Sequence, residues 1–215
     1  MSNSKILEEY ALERGASRAR VFPARLVAID ERVRMKCQIP LCPHYGHCLT
    51  CPPNAPTVEE FRRALELYEN AIMIQVKSPI AGEMDTAAKN EVLKYMAAPG
   101  AEWKKHKGKE LSDEQQDLDN MRLAAIALHK IINEVEGKAL TMGYPFATGL
   151  IGGECMLCVE CVGVGSEKKC PRPYEARPSL EGVGIDVIKT SIRAEMGFEI
   201  PPKTEVTWSG LILLD

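Results

Sequence analysis

Eight cysteines gathered into two dense groups constrain this 215-residue chain more than any other feature. The first group is Cys37-x4-Cys42-x5-Cys48-x2-Cys51-Pro52, within CQIPLCPHYGHCLTCPP. The second is Cys155-x2-Cys158-x2-Cys161, followed after eight intervening residues by Cys170-Pro171. The N-terminal stretch MSNSKILEEYALERG carries charges every few residues and no apolar leader core, and no run is long enough to span a bilayer. The expected compartment is therefore the cytoplasm, where thiols stay reduced and such a pattern reads as metal binding or catalysis before disulfides. A hydrophobic content of 45% also lets a core form without cross-links.

Three cysteines spaced by two residues put successive sulfurs on neighbouring irons of a cubane, and a remote Cys-Pro supplies the last ligand. Gly152, Gly153, Gly163 and Gly165 flank the turn, where close approach of backbone to a cluster favours residues without a Cβ. Structural zinc also takes four cysteines, although usually as two separated C-x2-C pairs. The first group's spacing is less diagnostic, and zinc is the alternative there. Four plus four is nonetheless the inventory for two [4Fe–4S] clusters. The expected ligands are Cys37, Cys42, Cys48, Cys51, Cys155, Cys158, Cys161 and Cys170. The prolines of the first loop remove backbone donors and fix φ, so the loop is stiff before metal arrives. In two-cluster ferredoxins the fourth cysteine of a run serves the other cluster, which makes Cys51 and Cys170 candidates for exchange. His44 and His47 are of a ligating type. With four cysteines at hand they are expected beside the metal or at the surface. His106 and His129 have no metal-like spacing.

Locally the second group resembles a bacterial ferredoxin motif with a longer final gap. Taken in order, CPHYGHCLTCPPNAPT, GGECMLCVEC and CPRPYEARPSLEGVGIDV resemble the cysteine-rich proteins of domain of unknown function family 2284, described as predicted metal-binding. The resemblance covers most of the chain and all eight cysteines. It implies a metal-binding, iron–sulfur protein and carries no activity with it.

Residues 20–30 read as a strand leading to the first cysteine loop. Thr57 and Glu60 make a capping box, ahead of a helix presenting Phe61, Leu65 and Tyr68. AIMIQVK, from Ala71, is a strand. A helix is expected around 84–97, then a polar loop. Ser112 with Gln115 opens a long helix over about 113–142, striped by Leu118, Met121, Ala125, Leu128, Ile132, Val135 and Ala139. PFATGLIGG is a strand that ends in glycines. Ser179 caps a helix with Ile185, Ile188, Ile192 and Met196 on one face and Gly197 just past its end. EVTWSGLILLD is a further strand. The expected fold is α/β or α+β: one domain over 1–215 with a single sheet of about four strands, packed helices, and two metal-binding loops at about 37–53 and 152–173 projecting from one end.

Arg172, Arg177, Ser179 and Glu181 follow the second group closely enough to bind an anion or tune a potential; a capped helix with solvated arginines is the plainer expectation. Trp103–Lys109, WKKHKGK, reads as a solvated basic loop. A net charge of −3 argues against a nucleic-acid binder, and no G-x-G-x-x-G or P-loop is present. The expected function is electron transfer by two [4Fe–4S] clusters with a redox partner protein, with no nucleic-acid or membrane partner. An enzyme with one open iron acting on a small-molecule substrate, and a zinc-stabilised binding module, are the alternatives.

Overall fold

The computed structural model describes residues 2–79, 113–158, 160–197, 199–203 and 205–215. The helix expected around 84–97, the loop carrying Trp103–Lys109 and His106, and the cap at Ser112 lie outside the described residues.

Strands β1 (Arg18–Pro23), β2 (Asn70–Pro79), β3 (Thr148–Ile151) and β4 (Glu205–Leu214) form a four-stranded sheet in the order β1-β2-β4-β3. Every pairing is antiparallel, which resolves the expected fold class to α+β. The central strands β2 and β4 bury both faces, and period-2 alternation divides their side chains. Ile72, Ile74, Val76, Trp208 and Ile212 face one core, whereas Ala71, Met73, Leu211 and Leu213 face the other.

The first core is covered by helix α1 (Asn3–Glu13) and the long helix α4 (Asp113–Thr141). The expected α4 stripe is buried from Met121 through Ala125, Leu128, Ile132, Val135 and Ala139. The side chain of Leu118 lies outside the described residues. The helix docks closely because two strand positions are glycine: a Cβ at Gly210 would sit 2.7 Å from Ile132, and one at Gly149 would sit 2.6 Å from it. Glu136 of α4 accepts from the Gly149 amide and forms a two-pronged pair with Arg177 at 2.8 Å for each contact, which ties helix, strand and second loop together.

The second core is covered by helix α3 (Val58–Leu65), with Phe61 and Leu65 buried and Tyr68 packed just beyond its end. The Thr57–Glu60 capping box forms as expected. Two elements differ from the sequence reading. First, β1 stops at Pro23, and the chain reaches the first cysteine loop through a 3-10 turn (Ala24–Leu26) and the short helix α2 (Glu31–Met35). Second, Ser179 does not cap the α-helix. Its Oγ accepts from the Gly182 amide at 3.1 Å, just ahead of a single 3-10 turn, Glu181–Val183, whose N-cap is Leu180. Gly184, at φ +88°, breaks the run there, and a Cβ would meet Val58 at 2.8 Å. The α-helix proper, α5, spans Val187–Arg193 and is capped by Asp186. Ile185 is therefore spent in the core, whereas Ile188 and Ile192 face out. Glu195, not Gly197, takes the positive φ that follows the helix. No helix among the described residues is long and apolar enough to cross a membrane.

Candidate metal centre

The second cysteine loop leaves the sheet at the end of β3. Its departure is fixed by Gly152, whose amide donates to the Ser209 carbonyl at 2.8 Å, where a Cβ would sit 2.7 Å from that oxygen. The first loop comes to meet it. Val164 N–H donates to the His47 carbonyl at 3.0 Å, and Ser179 N–H donates to the Thr50 carbonyl at 3.2 Å. Gly163, at φ +85°, lets the second loop turn with room for His47: a Cβ would be 3.1 Å from the imidazole. All eight cysteines are free thiols, and Cys48 and Cys51 are the most buried of them.

The cysteines line two neighbouring pockets, and not by their order in sequence. One pocket is lined by Cys155, Cys158, Cys161 and Cys170 together with Cys48 from the first loop. The other, about 150 Å³, is lined by Cys37, Cys42 and Cys51 together with His44, Tyr45, Glu154 and Glu181. The cysteine that crosses between groups is thus Cys48. Cys51 and Cys170, the residues expected to exchange, each line the pocket of their own group. Cys48 and Cys51 touch across the divide. The Cys51 thiol donates to the Cys48 sulfur, holding Cys48 below and Cys51 above the usual thiol range. The Thr50 hydroxyl, 3.5 Å away, and the Cys155 amide also support the Cys48 sulfur.

The pocket walls make charge expensive. Burial pushes the Cys155 thiol up to about 12 and raises Cys37 and Cys158, with Arg172 pulling Cys158 the other way. Burial likewise raises the Glu154 carboxyl, opposed by His44, whose Nε2 lies 3.5 Å from Glu154 Oε1. Thiolates gathered here need a source of positive charge, which a bound metal supplies. Among the described residues, no three His, Cys, Asp or Glu side chains are already drawn together as a set that holds a single metal ion.

The neighbours named from sequence divide by role. Arg177 is committed to Glu136, and Ser179 and Glu181 hold the loop, with Glu181 accepting from Gly153 N–H at 3.0 Å. Arg172 lines the pocket with Cys158 and pairs with Glu175 at 3.0 Å. His129 is buried in α4, with Nε2 2.9 Å from the Glu175 carbonyl, away from both pockets. Two residues escaped the sequence reading. Glu154, wedged between Gly153 and Cys155, reaches the first-group pocket. Arg122, buried on α4, points a guanidinium nitrogen at the Cys158 carbonyl, 3.4 Å away. The available signal was a lone charge inside an apolar or glycine-rich run: GGEC for one and MRLAAIAL for the other.

A larger cavity of about 410 Å³ lies beside the first-group pocket and shares Gly153 and Glu181 with it. Its walls are mostly apolar, with Trp208 and Ile185 among them, and Lys36 and Asp186 supply charge.

Two interleaved cysteine loops raised on a sheet, with their cysteines lining two shared pockets, are the arrangement of a metal-binding protein. The chain belongs to the family described as predicted metal-binding protein (DUF2284), whose family model matches residues 20–214. No curated protein and no solved structure matches it.

Proposed function

We propose that the chain is an iron–sulfur protein that carries two [4Fe–4S] clusters, one in each pocket, and passes electrons to or from a partner. The observation that carries this reading is the partition of the eight cysteines around two adjacent pockets, with Cys48 and Cys51 in contact where the pockets meet. Cys155, Cys158, Cys161 and Cys170 would hold one cluster, and Cys37, Cys42 and Cys51 would provide thiolates for the other. The donor set supports the assignment, since soft thiolates in this number suit iron–sulfur clusters. When bound, the clusters supply one-electron chemistry.

The chain's own residues do the tuning. Arg172 offsets thiolate charge beside Cys158, and the Cys155 amide donates to sulfur. The buried walls disfavour the more negative, reduced state. The test is anaerobic preparation with iron, sulfide and zinc quantitation and a visible spectrum. About eight irons and eight sulfides per chain, with a brown band bleached by dithionite, is the expected result. A colourless zinc protein that also fails reconstitution would sink the reading.

One observation favours a second reading, an enzyme acting on a small molecule: the cavity of about 410 Å³ that shares a wall with the first-group pocket is of the size that small ligands occupy. Filling it through Ile188→Trp would then abolish turnover of such a substrate while leaving iron content and spectrum unchanged.

A further inference from the structure

Cys48 lines the second-group pocket, yet it is tied to Cys51 of the first. The two close one tight turn: Cys51 N–H donates to the Cys48 carbonyl at 3.1 Å, and their sulfurs meet. Cysteines separated by two residues on such a turn serve neighbouring irons of one cluster. Cys51 lines the first-group pocket with Cys37 and Cys42, so Cys48 brings that set to four thiolates. The second-group pocket has no need of it, because Cys155, Cys158, Cys161 and Cys170 already supply four. Cys48 is thus a residue of one set standing in the wall of the other. Its sulfur takes a hydrogen bond from the Cys155 amide, and Cys155 is itself one of the second set. One hydrogen bond therefore joins a residue of each set. Cys48 and Cys51 are both buried, which keeps bulk water out of the contact.

We propose that Cys48 is both the fourth thiolate of the first-group cluster and the link between the two clusters, its sulfur joined to the second set through the Cys155 amide. This rests on the reading of both pockets as iron–sulfur sites. Loading requires the proton shared between Cys51 and Cys48 to leave, since cysteines ligate as thiolates. The step that Cys48 then serves is the passage of one electron from a reduced cluster to its oxidised neighbour. No bond forms or breaks in it and no proton moves. Hydrogen bonds to sulfur and nearby charge set cluster potentials. A change at Cys48 is therefore felt on both sides of the contact. A change at Cys42, which lines the first-group pocket alone, is felt on one.

The test uses the full chain reconstituted anaerobically with ferrous iron and sulfide, as wild type, Cys48→Ser, Cys48→Ala and Cys42→Ser. EPR of the fully reduced wild type should show the split, broadened signal of two spins in close contact. In redox titrations followed by EPR, Cys48→Ser, which keeps an oxygen ligand, should shift both potentials, whereas Cys42→Ser should shift one. Cys48→Ala should lose about half of the iron and sulfide and leave the simple signal of one isolated cluster. Full iron and sulfide in Cys48→Ala, with the split signal intact, would overturn the assignment of Cys48 as a ligand. A shift of only one potential in Cys48→Ser, or two isolated signals in the fully loaded wild type, would overturn the link. In each of those cases the iron–sulfur reading stands. A wild-type chain that takes up no iron and sulfide would overturn that reading and this one together.

Discussion

The sheet and the cysteine loops sit against each other yet are held by different physics. In the sheet body, β2 and β4 pair over ten residues, and α4 presses Ile132 into space left by Gly149 and Gly210. Apolar burial there is large, and the central strands β2 and β4 each pair on both sides. The loops have little of this. Ile39 and Leu41 are 72% and 69% exposed, and cross-loop backbone bonds run from Val164 to His47 and from Ser179 to Thr50. In place of an apolar core the loops gather half-buried thiols, with Cys48 and Cys51 buried, and a His44–Glu154 pair. The difference teaches that the body is built to stand on burial alone, whereas the loops are positioned by it and completed by what their thiols hold.

The sharpest way to break that division is Ile132→Ala. It removes a fully buried side chain at the helix–sheet contact, and about 4 kcal/mol of stability should be lost in urea melts. The loss should be the same with and without metal. If metal binding rescued it, body and loops would not be separable.

Glu136→Ala comes next. It leaves the Gly149 amide without its acceptor and Arg177 without its carboxylate, holding only the Tyr174 and Ala176 carbonyls, in a region where both carboxylate and guanidinium are about 15% exposed or less, and should cost about 3 kcal/mol. Because Arg177 belongs to the second loop, this variant should also loosen Cys170, seen as faster alkylation of that thiol in the metal-free chain.

Acid should weaken the body through His129. Burial, the leading cause, holds its folded pKa down at about 4, below the ordinary value of 6.5. The unfolded chain therefore binds the proton first as pH falls. The stabilisation is complete above about 6.5 and is lost progressively down to about 4. Between pH 7.5 and pH 5 the loss should be about 2 kcal/mol, and His129→Gln should remove most of that slope.

The smallest effect on the body should come from stripping metal by chelation. The far-ultraviolet dichroism of α4 and the sheet should barely change, whereas all eight cysteines should become open to alkylation. Collapse of the sheet signal on chelation would make the loops part of the fold's foundation.

How much of this was legible in sequence follows the same division. The α4 stripe, the Thr57–Glu60 box and the strands β2 and β4 are local patterns, and a period or a cap is enough to read them. The start of α5 differs because Ser179 is a capping residue type ahead of the Ile185, Ile188 and Ile192 spacing, and only the crowding of Gly184 by Val58 shows why the backbone must turn between them. The cysteine groups were visible, but their sorting was not. Spacing counts four and four, and nothing local shows that Cys48 faces the opposite group or that Glu154 meets His44. Those are facts about how two distant loops dock.

The strand order has one more consequence. β4 follows both cysteine loops in the chain, yet it lies between β2 and β3. During synthesis the second loop therefore emerges while β3 still has no neighbour to pair with, and all eight thiols are made before the strand that brings them together. The nascent chain passes through a stage rich in reactive sulfur and without a finished site. A site built from both loops is therefore complete only once β4 has paired between β2 and β3.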